Sequence, residues 1–190
     1  MTATGSESGE PDTQRCVGKS LATRPVKGLL LDLDDTLLIN DMDVFSSRYF
    51  ELLVECIQDI CPRDRFLTAL MTGTRAMFTN DGAQGSNADL FYSEFLPLVG
   101  ECADELLPAL DAFYAHDFDS LRKWTTVDPD ARVLVETAFQ HGFQVAIATQ
   151  PLFPREAILA RLRWAGVSAD TFDYDYISCF EELDACKPQG

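Results

Sequence analysis

The segment that most constrains this chain is a short apolar run that stops on acids. Val26 to Leu31 reads VKGLLL, apolar apart from Lys27 and Gly28, and the next residues are DLDDT. A run of that length closed by carboxylates fits a strand buried on both faces, with polar residues at its carboxyl end. Open parallel α/β sheets place their ligands at that end of the strands. Side chains alternate along extended backbone, so Asp32 and Asp34 would project to the same side. Two carboxylates on one side can divide the labour of a reaction, one attacking or holding a cation while the other keeps a proton for a leaving group. The same cluster also reads as a solvated turn in which Asp35 or Thr36 caps the next helix. Spacing alone leaves both readings open.

Alternation of strand and helix frames the rest. Residues 1–24 are small, polar and turn-forming, the composition of a disordered tail. From 42 to 124 the pattern becomes helical, with Phe45, Tyr49, Leu52, Cys56 and Ile60 three or four residues apart, then Phe66, Leu70, Thr74 and Phe78, then Leu106, Leu110, Phe113 and Tyr114. Pro62 and the stretch NDGAQGSN from Asn80 to Asn87 separate these helices, and Pro108 would start or kink the third. Asp128-Pro129 then opens a helix that Gly142 can end, Phe143 to Thr149 reads as a buried strand, Pro154 opens a helix closed by Gly166, and Tyr174 to Cys179 reads as a short strand. Such an order implies an α/β fold, a Rossmann-like parallel sheet core formed by 25–41 and 125–190, with an all-helical domain inserted over 42–124.

Composition narrows the partners. Asp and Glu outnumber Lys and Arg by 31 to 15, so nucleic acid and acidic membrane surfaces would be repelled over most of the surface. A phosphorylated small molecule is also an anion and would need a local positive site. No run approaches the roughly 18 apolar residues of a membrane span. Cys16, Cys56, Cys61, Cys102, Cys179 and Cys186 form no CxxC pair, and His116 and His141 are too few for a His/Cys metal cluster. Without a signal-peptide hydrophobic region, reduced thiols and a cytoplasmic setting are expected.

Three positions in order carry a resemblance. The run ending in DLDDTLL matches Asp-x-Asp-x-Thr after a hydrophobic strand, VAIAT places Thr149 at the end of a second strand, and Lys187-Pro188 follows the next helix and strand. On their own, Thr149 reads as a cap and Lys187 as a surface residue. Together, over Val26 to Gly190, they resemble the haloacid dehalogenase (HAD-like) superfamily, on its phosphatase branch. The resemblance implies magnesium-dependent hydrolysis of a small phosphate monoester through an aspartyl-phosphate, with the helical insert as the cap that closes over the site. Asp32 would be the nucleophile and Asp34 the acid and base. Thr149 would bond a phosphoryl oxygen, and Lys187 would offset charge. Asp32 and the carbonyl of Asp34 would hold Mg2+. An acid at position 34 favours phosphatase over dehalogenase, with phosphomutase an allied alternative. The family's fourth motif, acids after a further strand that complete the magnesium site, has no counterpart before Gly190. The chain is therefore expected to be a fragment in which the first strand lies at an exposed edge, and a non-catalytic truncated protein or binding module is carried beside the enzyme. The substrate's identity and the oligomeric state are not readable.

Overall fold

In the computed structural model residues 25–188 are described, so the tail expected over 1–24 lies outside the described residues. The described residues form a mixed α/β structure with six α-helices and a small parallel sheet. Strand β1 spans Gly28–Leu31. It pairs in parallel with β4, Gln144–Ile147, which pairs in parallel with β5, Tyr176–Ile177. The order β1-β4-β5 leaves β1 at an edge. Each strand is shorter than the apolar pattern suggested: β1 begins two residues later than Val26, and β4 and β5 lose residues at both ends.

Among the described residues the sheet is covered on one face only, a correction to the expectation of strands buried on both. Val145, Ile147 and Ile177 are buried, and Leu31 packs against the same core. The opposite face carries Leu30, 78% exposed, and Tyr176, 38% exposed. Apolar residues in an unbroken run do not by themselves distinguish a strand covered twice from one covered once.

Helices α1, Met42–Ile57, and α2, Arg63–Phe78, stand where the periodicity placed them. The buried stripe of α1 is Phe45, Tyr49, Leu53 and Ile57, and that of α2 is Phe66, Ala69, Gly73 and Met77. Each drifts by one residue from the sequence assignment as the helix proceeds, and Phe78 ends exposed. Gly73 allows the close crossing of α2 and α3, since a Cβ there would come within 2.6 Å of the Phe91 ring. Helix α3, Asn87–Val99, was not distinguished in the sequence. It starts with a capping box in which Ser86 and Asp89 exchange bonds, and Pro97 lies in its last turn. Pro108 falls inside α4, Ala103–Ala115, rather than starting it. A two-stranded antiparallel pair, β2 (Leu38–Asn40) with β3 (Thr125–Val127), joins the two ends of the helical segment and was also unforeseen.

Helices α5, Ala131–Gln140, and α6, Arg155–Trp164, complete the strand-helix alternation. The helical segment and the sheet region share one aromatic core. Phe118 stacks on Trp164 at 5.2 Å and meets Phe45, Tyr49 and Phe113 edge-on or tilted, while the indole N–H of Trp164 donates to Asp119 at 2.6 Å. Among the described residues, no helix is long and apolar enough to cross a membrane, and Cys56, Cys61, Cys102, Cys179 and Cys186 are free thiols.

Candidate active site

The loop after β1 is folded around a single anchor. Leu33 is fully buried, and its carbonyl accepts the N–H groups of Thr36, Leu37 and Leu38 at 3.4, 2.9 and 3.0 Å. Winding the chain this tightly puts Asp35 in the left-handed region, φ 53°, a conformation Asp tolerates better than most residues. Asp35 also accepts the Asn40 N–H at 3.1 Å, so this acid supports the loop. Asp32 and Asp34, on either side of Leu33, stay partly open to solvent, at 43% and 24%.

Strand pairing brings the second and third candidates to the first. Leu31 lies opposite Ile147, and the N–H of Ala148 donates to the Leu31 carbonyl at 2.8 Å. Asp32 and Thr149 therefore leave neighbouring parallel strands at the same end. Thr149 is buried, with its carbonyl accepting the Ser178 hydroxyl at 3.0 Å. Lys187 returns from far along the chain to place Nζ 3.0 Å from Asp32 Oδ1. Gln150 fixes that return by accepting the Lys187 N–H at 2.9 Å. Thr149 and Lys187 both line a cavity of about 330 Å³ floored by Leu30, Ala146 and Tyr176 of the open sheet face.

Asp34 faces other partners. Its Oδ1 accepts the Asn40 side-chain amide at 3.0 Å and forms an ion pair with Arg161 of α6. Arg161 is fully buried, with its guanidinium between the rings of Phe45 and Phe153 at 5.2 and 5.4 Å from their centroids. Its Nη2 meets Asp34 Oδ1, and its Nε has no hydrogen-bond partner among the described residues. Burial pulls the guanidinium down to about 10, against the opposing effect of the negative Asp32, and it remains charged at neutral pH.

Arg161 was missed in the sequence because a basic residue near a helix C-terminus is ordinarily a solvated one. A signal was present: Ile158, Arg161 and Leu162 share one helical stripe, so Arg161 sits among residues assigned inward. Asn87 was missed as well. It was read as the end of a turn, yet it is fully buried at the start of α3, where its side chain donates to the Pro151 carbonyl at 3.3 Å and accepts from Asn80 at 3.0 Å. Its backbone N–H donates to Leu183 at 2.7 Å. The helical segment is thereby tied to both loops that carry Thr149 and Lys187. Among the described residues, no three His, Cys, Asp or Glu side chains gather closely enough to hold a metal ion by themselves.

No family model matches the chain, and no curated protein matches it. Among solved structures it is similar to one described as a predicted phosphoglycolate phosphatase from Haemophilus somnus 129PT, with a TM-score of 0.44 and 16% identity, covering 86% of this chain. The chain spans 66% of that protein's length.

Proposed function

We propose that this chain carries the catalytic apparatus of a HAD-like phosphohydrolase acting on small phosphate monoesters, with residues 42–124 as its cap. The observation that carries the reading is the contact of Lys187 Nζ with Asp32 Oδ1 at 3.0 Å, made across 155 residues at the strand end beside Thr149. A nucleophile, a cation and a hydroxyl meeting where an α/β sheet binds ligands is the set that phosphoryl transfer requires.

In the first step a carboxylate oxygen of Asp32 attacks phosphorus in line, and the bond from phosphorus to the organic oxygen breaks. Asp34, which takes up a proton from solvent as the negatively charged ester binds beside it, gives that proton to the oxygen, which leaves as an alcohol. Oδ1 of Asp34 is held by Asn40 and Arg161, which leaves Oδ2 to exchange the proton. In the second step water attacks the aspartyl-phosphate and yields a proton to Asp34. The bond between phosphorus and Asp32 breaks, and inorganic phosphate departs. Lys187 balances the charge gathered between Asp32 and the phosphoryl oxygens, and Thr149 donates a hydrogen bond to one of them.

Magnesium suits the donors present, since Asp32 keeps Oδ2 free of Lys187 and the Asp34 carbonyl is a second hard oxygen. The ion would supply charge neutralisation at the phosphate.

The test is hydrolysis of p-nitrophenyl phosphate with and without magnesium. Asp32→Asn should abolish turnover, and a wild-type rate in that variant ends the nucleophile assignment. A non-catalytic binding module is the second reading, favoured by the lack of a three-acid group among the described residues. Absence of turnover with every phosphate ester tried would put it first.

A further inference from the structure

A second cavity lies among α1, α2, α3, α4 and the segment that runs on from Thr149 into α6. Its volume is about 550 Å³, within the range of sites that hold small organic molecules. One wall is Leu152 and Phe153, three and four residues beyond Thr149. Another begins at Met42, two residues after the Asn40 that binds Asp34. Phe153 also faces the Arg161 guanidinium that pairs with Asp34. The cavity is thus built from the same segments that hold the candidate catalytic carboxylate.

Its lining defines a chemistry. Phe91, Phe153 and Leu110 make most of the surface apolar. Of the lining residues none is Lys or Arg, while Asp111, Glu156 and Glu181 are all present. A second anion would meet three carboxylates and no cation there.

Two phenols add a polar requirement. Tyr49 and Tyr114 both line the cavity, and their hydroxyls are 2.6 Å apart. Two hydroxyls carry two protons, and one bond between them uses one. The hydroxyl that accepts has its own proton left over, with no acceptor among the described residues. Burial raises both phenols, Tyr49 up to about 12 and Tyr114 well above its ordinary value, so the spare proton is retained at neutral pH. An apolar cavity with one spare donor and an acidic border suits an uncharged organic molecule bearing an acceptor oxygen.

We infer that this cavity receives the organic part of the substrate, and that the substrates are phosphate esters of uncharged, largely apolar alcohols rather than of carboxylated ones. The inference rests on the hydrolase reading above for the word substrate. The spare tyrosine proton bonds an oxygen of the organic group, the aromatic walls cover its hydrocarbon, and Asp111, Glu156 and Glu181 turn away acids.

The experiment separates binding from turnover. Ligand-observed NMR on the full chain would use 2-(4-methoxyphenyl)ethanol and (4-methoxyphenyl)acetate, which share a ring and an ether oxygen and differ in charge. The alcohol should bind and the acid should bind at least about tenfold more weakly, given three facing carboxylates. Leu110→Trp fills the space and should remove alcohol binding. Tyr49→Phe with Tyr114→Phe, which removes both hydroxyls, should weaken it about fivefold, as expected for one hydrogen bond. Asp111→Lys should narrow the gap between acid and alcohol. Equal binding of acid and alcohol, or alcohol binding that survives Leu110→Trp, would overturn the inference. In parallel, 2-(4-methoxyphenyl)ethyl phosphate, whose ether oxygen can take the tyrosine proton, should be hydrolysed in preference to phosphoglycolate, and the reverse preference would overturn it too. Alcohol binding at this cavity with no ester hydrolysed would remove the hydrolase reading while leaving the ligand class in place.

Discussion

Arg161 makes Asp34 a structural residue as well as a candidate catalytic one, and the two roles can be separated. Asp34→Asn keeps an oxygen for the Asn40 amide, which donates at 3.0 Å to Oδ1. What it removes is the negative charge beside a guanidinium that is 1% exposed. Stranding a buried charge costs about 3–5 kcal/mol. Asp34 is 24% exposed, so water already shares part of its task, and the negative charge of Asp32 still acts on Arg161. The expected loss is therefore about 2–4 kcal/mol, or about 5–15 °C in Tm for a chain of this size. Replacing both residues, Asp34→Asn with Arg161→Met, removes the stranded charge and puts an apolar, adaptable side chain between Phe45 and Phe153. Stability should return to within about 1 kcal/mol of the parent, while the proposed hydrolysis stays lost. Urea unfolding of the parent, both single variants and the double variant measures this directly, provided the m-values agree. The reasoning is refuted if Asp34→Asn costs less than about 1 kcal/mol, or if the double variant is no more stable than the Asp34→Asn single.

Three other outcomes are expected. Lys187→Ala breaks a pair whose partners are 49% and 43% exposed, so unfolding should change by less than about 1 kcal/mol while kcat falls by about 10²–10³; a parallel loss of stability and rate would make Lys187 merely structural. Asn87→Ala leaves the Asn80 amide and the Pro151 carbonyl without this partner in a buried place, and should cost about 1–3 kcal/mol in urea unfolding. It should also loosen the loop after Thr149, seen as faster amide exchange at Gln150 and Leu152, and unchanged exchange there would count against that tie. The third concerns alkaline pH. Tyr49 is raised by burial from 10 up to about 12, so between those values the unfolded chain loses a proton that the native chain keeps. The stability Tyr49 contributes is whole below pH 10 and is lost as pH rises through about 12. Unfolding free energy should decline across that window, and less steeply in Tyr49→Phe.

What was legible in the sequence follows from how anomalous each residue looks in its place. Asp32, Asp34 and Thr149 end apolar strands, where polarity is abrupt, and the parallel pairing of Leu31 with Ile147 then sets Asp32 and Thr149 side by side. Lys187 could be placed only through its order after them, because a lysine near a turn carries no local signal, and its contact with Asp32 is set by tertiary structure. Helix α3 escaped notice because Asn87 to Val99 contains Pro97, and because Asn87 and Ala88 look like the tail of the preceding turn. Its register is fixed instead by bonds to Leu183 and Phe180, almost a hundred residues away.

The site also divides along a line the sequence conceals. Asp32 and Lys187 meet where each is near half exposed, so water can screen them and their pairing costs little to break and remake in the proposed catalytic cycle. Asp34 is fixed from below by a charge that has no access to water. A nucleophile has to leave its partner to attack phosphorus, while a residue that passes a proton out and back gains from being held still. The exposed pair therefore suits the group that must move, and the buried pair suits the group that must not. Exchanging the environments, by burying the Asp32 pair or opening the one at Asp34, should impair phosphoryl transfer in the first case and leaving-group departure in the second. A slowed first step for p-nitrophenyl and alkyl phosphates alike would mark the former. A defect confined to the alkyl ester, whose leaving group needs the proton, would mark the latter.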